Sequence, residues 1–405
     1  MKISFIKRVD RLLGPWILVP LLIFRQLLVC IVATPPLKEQ IPRKVVILKF
    51  WGMGSILLSL SAIEALKKKY PETKVTILTL HQNKELCELI PLIDEVLCLK
   101  LNGMLSFFYQ TIGLLKKVRN QRFDIIIDLE FFSYYTAIFT LLSGICFRIG
   151  FASTKILRNQ VYLKKVPFDH SRHISAIFMK VIEYVIGKEN NNLIVQPSCK
   201  FQFKKEYENK IEEILSKSNI RKEDLIIIMN INASALFLER RWPRNNYLIL
   251  AQRLLENYAE VRIILIGSHC ERAYTTSFLE ELKNRTTIED KVVSLCGKIS
   301  IGELITLFQR VDLFIGNDSG PLHLASFLDV PTVSFFGPET PLLYGPIGDK
   351  HSIFYEALPC SPCLNVYNYK SSFCKNNICL KDIDTDKVFE VIGRKYLQPM
   401  LHRDF

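Results

Sequence analysis

The stretch DLFIGNDSGPLHLASFLDVPTVSFFG, residues 312–337, decides the fold. DLFI and TVSFF are continuous apolar runs, the pattern of strands buried on both faces of a parallel sheet. Between them Asp318, Ser319 and Gly320 form a turn that opens a helix, Pro321 suits its first turn, and His323 and Leu324 follow. Strand, helix, strand is one βαβ unit.

Outward from it the same alternation continues. Upstream lie LIIIMNI (225–231), YLILAQRLLENY (247–258), VRIILIG (261–267), a helix near 272–283, KVVSLCG (291–297) and ELITLFQR (303–310). The N-terminal half repeats the logic with VVILKF (45–50), SAIEALKKKY (61–70), VTILTL (75–80), a helical 84–89, EVLCLK (95–100), a helix near 107–119 and DIIIDLE (124–130). The expectation is an α/β protein with two Rossmann-like domains, 43–190 and 223–358, whose parallel sheets face a central cleft. A polar, charged stretch at 191–222 reads as the connection, 359–382 as a cysteine-rich loop and 383–405 as a C-terminal helix.

With 405 residues, 49% hydrophobic and 23% charged, the chain is folded; disorder, collagen-like repeats and a small disulfide scaffold are excluded. Its 53 Lys and Arg against 40 Asp and Glu give a net +13, so an anionic partner is expected. Residues 1–49 carry nine of those cations against Asp10 and Glu39, a local +7. The same stretch holds two apolar blocks, LLGPWILVPLLIF (12–24) and LLVCIVA (27–33), split by Arg25 and Gln26. Pro15 and Pro20 are expected to interrupt the helix, and neither block reaches the roughly 20 apolar residues of a spanning helix. Residues 1–36 therefore read as an apolar, basic helix that anchors at a membrane surface. The alternatives are a helix packed on the body and a secretory signal.

Eleven cysteines are present, several inside apolar runs, a usage that fits a reducing compartment. Cys360, Cys363, Cys374 and Cys379 cluster within twenty positions; structural zinc, two local disulfides or free thiols are the readings.

Ligands of doubly wound sheets bind beyond the strands' carboxyl ends, so four corners are candidates. At 316–326 the exposed amides of a helix N-terminus suit a pyrophosphate, with Asp318, Ser319, Gly320 and His323 as donor-site residues; simple helix capping is the alternative. In ERRWPRNNY (239–247), Arg240, Arg241 and Arg244 suit a diphosphate clamp. Ser268 and Glu271, after VRIILIG, are placed to reach ribose hydroxyls. KFWGMGSILLS (49–59) supplies Gly52 and Gly54 at a tight turn, without the third glycine of a dinucleotide fingerprint.

Three of these stretches, GMGSILLSLSAIEALKKKYP, RRWP and GNDSGPLHLASFLDVPTVSFFGPETPLLYGP, together resemble glycosyltransferase family 9, the lipopolysaccharide heptosyltransferases, over about residues 44–346. The resemblance implies a GT-B fold with an acceptor-binding N-terminal half and a nucleotide-sugar-binding C-terminal half. It implies inverting heptose transfer, ADP-heptose as favoured donor, an anionic glycolipid acceptor and no required metal. By position Arg240 stands for a phosphate-contacting Lys, Glu271 for the ribose-holding acid, and Asp318, Ser319 and Gly320 for the donor grip. One departure stands out: the family's first corner reads Gly-Asp, the Asp being its base, whereas this chain has Ser55. A serine hydroxyl is a poor base at neutral pH. Glu130, at the end of DIIIDLE, is the expected substitute.

The protein is thus expected at the cytoplasmic face of the inner membrane, peripherally bound, with a membrane surface and no nucleic acid among its partners. Two rival readings share the architecture: a nucleotide-sugar 2-epimerase, and a catalytically degenerate nucleotide- or glycolipid-binding paralogue.

Overall fold

In the computed structural model, residues 3–29, 41–152, 156–187, 197–233, 237–286, 291–368 and 370–401 are described. Six parallel strands build the first sheet: β1 (Lys44–Leu48), β2 (Lys74–Leu80), β3 (Glu95–Leu99), β4 (Ile125–Asp128), β5 (Phe147–Ala152) and β6 (Lys164–Pro167), ordered β3-β2-β1-β4-β5-β6. Six more build the second: β7 (Leu225–Asn230), β8 (Val261–Leu265), β9 (Val292–Ser294), β10 (Leu313–Asn317), β11 (Thr332–Phe336) and β12 (His351–Tyr355), ordered β12-β11-β10-β7-β8-β9. Each is the doubly wound Rossmann order, and in each the direction of winding reverses once, at β1/β4 and at β7/β10. In register, Ile47 pairs with Ile127 and Ile315 with Met229, so the central strands are buried on both faces, as their unbroken Val and Ile runs require.

The chain divides into two compact units, 1–202 and 203–405. This corrects the expected connection: the helix Lys205–Lys217 belongs to the second unit, where Ile211 and Leu215 are buried and it packs on the helix Ile301–Leu307. Residues 191–196 of that expectation lie outside the described residues. The expected C-terminal helix is Thr385–Ile392 continued by a wider turn, Gly393–Leu397, and by Gln398–Leu401. Val388, Ile392, Tyr396 and Leu397 join the core around Trp242 and Phe335.

At the N-terminus a single helix spans Ile3–Val29 and continues through Pro15 and Pro20, which correct the expected interruption. Tertiary packing outweighs the lost hydrogen bonds. Leu18 and Leu22 pack with Tyr134, Ala137, Val161 and Tyr162. Gly14 permits the approach, because a Cβ there would lie 2.3 Å from Tyr134 Cβ. Asp10 caps the helix Tyr134–Leu142, accepting from the amides of Tyr134 (3.0 Å) and Tyr135 (2.5 Å). The packed-helix and anchor alternatives are therefore compatible: the other face exposes Phe5, Leu12, Leu13, Ile17, Ile23, Phe24 and Trp16, the last 79% exposed. Among the described residues no helix is long and apolar enough to cross a membrane.

Candidate active site

The first unit's corner follows from β1 and β4 ending side by side. After β1 the chain runs through Lys49, Phe50 and Trp51 to Gly52, whose φ of +82° turns it into the helix Met53–Lys69 with no side-chain cap. Glu130, just beyond β4, is buried at 4% exposure rather than presented to solvent. Its Oε1 accepts from Lys49 Nζ (3.1 Å) and from the amides of Phe50 (2.6 Å) and Trp51 (2.9 Å). This oxygen is occupied by three donors, so Glu130 clamps the corner through Oε1. Ser55 lies in the helix's first turn, half-buried, with its amide on Gly52 O (3.1 Å); Gly54 beside it is buried. Among the described residues no carboxylate or imidazole hydrogen-bonds the Ser55 hydroxyl.

Beneath Glu130 lies a buried polar network. Asp128 accepts from Arg158 Nη2 (3.0 Å), Tyr162 Oη (2.5 Å) and Thr136 Oγ1 (2.7 Å). Arg158 also donates to the carbonyls of Phe151 (2.8 Å) and Ser133 (3.1 Å). A buried ion pair is tolerated when its remaining donors are satisfied in this way.

In the second unit the corner forms where β7 and β10 end. Asn317 Nδ2 donates to Asn232 O (3.1 Å), Asn317 Oδ1 accepts from Trp242 N (2.8 Å), and Asn230 Nδ2 donates to Ser319 Oγ (3.2 Å). These bonds tie the strand ends to the RRWP loop and account for the crowding of asparagines there. Ser319 is the residue before the helix Gly320–Phe327, yet its side chain does not cap it, and Pro321 occupies the first turn. The capping alternative is therefore not realised, and the N-terminal end of this helix keeps its capacity for an anion.

Arg240 sits against this corner at 14% side-chain exposure, paired to Asp318 Oδ2 (3.2 Å) and Glu339 Oε1 (3.1 Å). Burial alone would lower the guanidinium's pKa; Asp318 and then Glu339 outweigh it and hold the pKa above its ordinary value. Lys370 Nζ reaches the same Glu339 oxygen (2.7 Å) and the Tyr344 hydroxyl (3.0 Å). His323 Nε2 lies 3.8 Å from Asp318 Oδ1, and burial pushes its pKa down to about 4, so the ring is neutral near pH 7. Asp318 thus pairs with Arg240 and lies beside His323. Arg241 stacks on Tyr274, 4.3 Å from the ring centroid, and Arg244 pairs with Glu281 (3.0 Å). The Nε–H groups of Arg240, Arg241 and Arg244 and the Trp242 indole N–H are buried without hydrogen-bond partners. Buried donors left unpaired are costly, and three guanidiniums so arranged suit an anionic acceptor.

Ser268 and Glu271 are brought together differently from the expectation. Glu271 Oε2 accepts from the Ser268 amide (2.8 Å) and hydroxyl (2.7 Å), a reciprocal cap on the turn that follows β8. One carboxylate oxygen of the expected ribose acid is thus spent locally.

The cysteine cluster also differs. Cys360 and Cys374 are exposed, Cys363 half-buried and Cys379 buried. Burial, then the neighbouring Cys363, Cys374 and Cys360, pushes the Cys379 thiol up to about 11. Among the described residues no group of three or more His, Cys, Asp or Glu is placed to hold a metal ion, so the structural-zinc expectation finds no ligand set.

Glu339, Lys370 and Tyr344 escaped the sequence reading, because their pairing joins positions 31 apart in a chain without periodic signal (370 − 339).

Two tandem Rossmann units, the second bearing an arginine-lined helix N-terminus at its winding reversal, form an architecture suited to holding a nucleotide diphosphate. Residues 112–372 match the profile of glycosyltransferase family 9 (heptosyltransferase), and the chain belongs to that family. It is 22% identical over 299 residues, 73% of this chain and 84% of the relative, to lipopolysaccharide heptosyltransferase 1 of Campylobacter coli. Among solved structures it is similar to the glycosyl transferase family 9 protein of Veillonella parvula (TM-score 0.72, 20% identity, 88% and 97% of the two chains). It is also similar to the E. coli ADP-heptose lps heptosyltransferase II (TM-score 0.68, 19% identity, 88% and 99%). These likenesses bear out the two-domain GT-B fold.

Proposed function

We propose that this glycosyltransferase moves a heptose from ADP-heptose to the lipopolysaccharide core, with inversion and without a required metal. The observation that carries the donor half is the β7/β10 corner: Arg240 and Arg241 beside a helix N-terminus that no side chain caps. An inverting displacement places negative charge on the departing diphosphate, and preorganised guanidiniums and helix amides stabilise that charge without reorganising. Neutral His323 keeps a hydrogen-bonding ring beside Asp318 without adding charge. Family membership and the names of the relatives support ADP-heptose and a lipopolysaccharide acceptor.

On the acceptor side, Gly52, Gly54 and Ser55 form the loop that meets the incoming hydroxyl, and Glu130 holds that loop through Phe50 and Trp51. The enzyme acts peripherally at the cytoplasmic face of the inner membrane, held by the exposed face of the N-terminal helix. Trp16 and its apolar neighbours bury in the interface, and the basic N-terminus meets anionic headgroups.

Calorimetric ranking of ADP, UDP, GDP and CDP tests the donor: ADP binds tightest, and a UDP preference would redirect the reading to another sugar. Flotation with phosphatidylglycerol vesicles tests the membrane: wild type floats, Trp16→Ser floats less, and flotation equal for both would remove the helix from the interface.

A further inference from the structure

The cysteine-rich segment, which the transfer reaction leaves without a role, is fastened to the two loops that present Arg240. Leu364 N donates to Pro338 O (2.8 Å) and the Ser361 hydroxyl to Gly337 O, both just before Glu339. On the other loop, Asn377 Nδ2 donates to Glu239 O (3.0 Å) and to Arg241 O (2.9 Å), the carbonyls on either side of Arg240. Lys370 supplies the third attachment, at 2.7 Å from Glu339 Oε1, with its ammonium 4.1 Å over the Tyr344 ring.

The charges show what Lys370 does there. Arg240 faces two carboxylates, Asp318 and Glu339, while His323 is neutral. Among these four groups Arg240 and Lys370 balance Asp318 and Glu339; without Lys370 they are left as one cation against two anions, which weakens the hold that the arginines of this corner offer a diphosphate. In a site this buried such a difference is weakly screened. Glu339 is 1% exposed, so its charge has little recourse to water.

We propose that Lys370 and Asn377 are positioning residues for the donor diphosphate: Lys370 by neutralising Glu339, Asn377 by fixing the backbone on both sides of Arg240. This deepens the donor assignment and rests on it. Neither residue is asked to touch the nucleotide.

The test is calorimetry of full-length protein with ADP and with inorganic pyrophosphate. Lys370→Met weakens both by about tenfold or more, as expected when a buried carboxylate loses one of its two cations beside an anion site. Glu339→Gln binds at least as tightly as wild type. The charge-balanced double variant Glu339→Gln/Lys370→Met returns to within about threefold of wild type, as does Lys370→Arg, because both restore neutrality. Asn377→Ala weakens both ligands, with no recovery on adding Glu339→Gln. The double variant also guards against misfolding, since it buries no unpaired charge. Lys370→Met binding like wild type, or a double variant as weak as Lys370→Met, would overturn the proposal and leave the donor assignment standing. A wild-type protein that bound neither ADP nor pyrophosphate would instead remove the donor assignment, and this inference with it.

Discussion

Replacing Glu130 with Gln separates a clamp from a base. Glu130 and Lys49 form an ion pair at 3.1 Å with side chains 5% and 1% exposed, and the same oxygen receives two amides. The amide of Gln can still accept from Phe50 and Trp51, so most of that contribution, about 1 kcal/mol per bond, survives. What is lost is the carboxylate opposite a buried ammonium, which costs about 3–5 kcal/mol when one partner of such a pair is removed. The expected loss is therefore about 3 kcal/mol, and Lys49→Met/Glu130→Gln should recover all but about 1 kcal/mol of it. Urea denaturation of the four proteins measures the cycle. A Glu130→Gln variant as stable as wild type would refute the reasoning; if its kcat also fell by about 10²–10⁴-fold, Glu130 would be the general base after all.

Three further outcomes follow from the same structure. His323 has a folded pKa of about 4 against about 6.5 unfolded, so the unfolded state takes up the proton first and stability falls as pH drops through that window. The loss between pH 7 and 4.5 is about 2–3 kcal/mol, and His323→Gln should abolish that part of the slope in denaturation curves. Gly14→Leu drives a side chain into Tyr134 and should cost about 1–3 kcal/mol, read as lost hydrogen-exchange protection over residues 10–22 and 134–142. Heptose transfer should persist in excess EDTA, since guanidiniums and helix amides carry the diphosphate's charge; abolition restored by Mg²⁺ would contradict this.

What the sequence disclosed and what it hid divide along a physical line. The central strands announced themselves because burial on both faces demands unbroken Val and Ile, as in VVILKF and LIIIMNI. The strands β5, β6 and β12 were missed: FRIGFA carries Arg148, buried through bonds to Val161 O and Ile145 O, and the edge strands KKVP and HSIFY are partly solvated and polar. Strand-end corners were legible because Gly, Asp and Ser at a turn have few other uses. Their electrostatics were not: nothing in DIIIDLE announced that Lys49 and two amides would meet one oxygen of Glu130, nor did the sequence show that Ser268 would take one oxygen of Glu271. Spacing made Cys360, Cys363, Cys374 and Cys379 look like a metal site, and it gave no sign that Asn377 in the same segment would hydrogen-bond the carbonyls on either side of Arg240.

Incubating the purified enzyme with ADP-heptose and a heptose-deficient lipopolysaccharide core, with products followed by mass spectrometry, tests the central claim most directly. The account predicts an acceptor one heptose longer and one ADP released per transfer, both lost in Arg240→Met. Intact acceptor with ADP-heptose untouched or merely epimerised, or Arg240→Met working as wild type does, would contradict it.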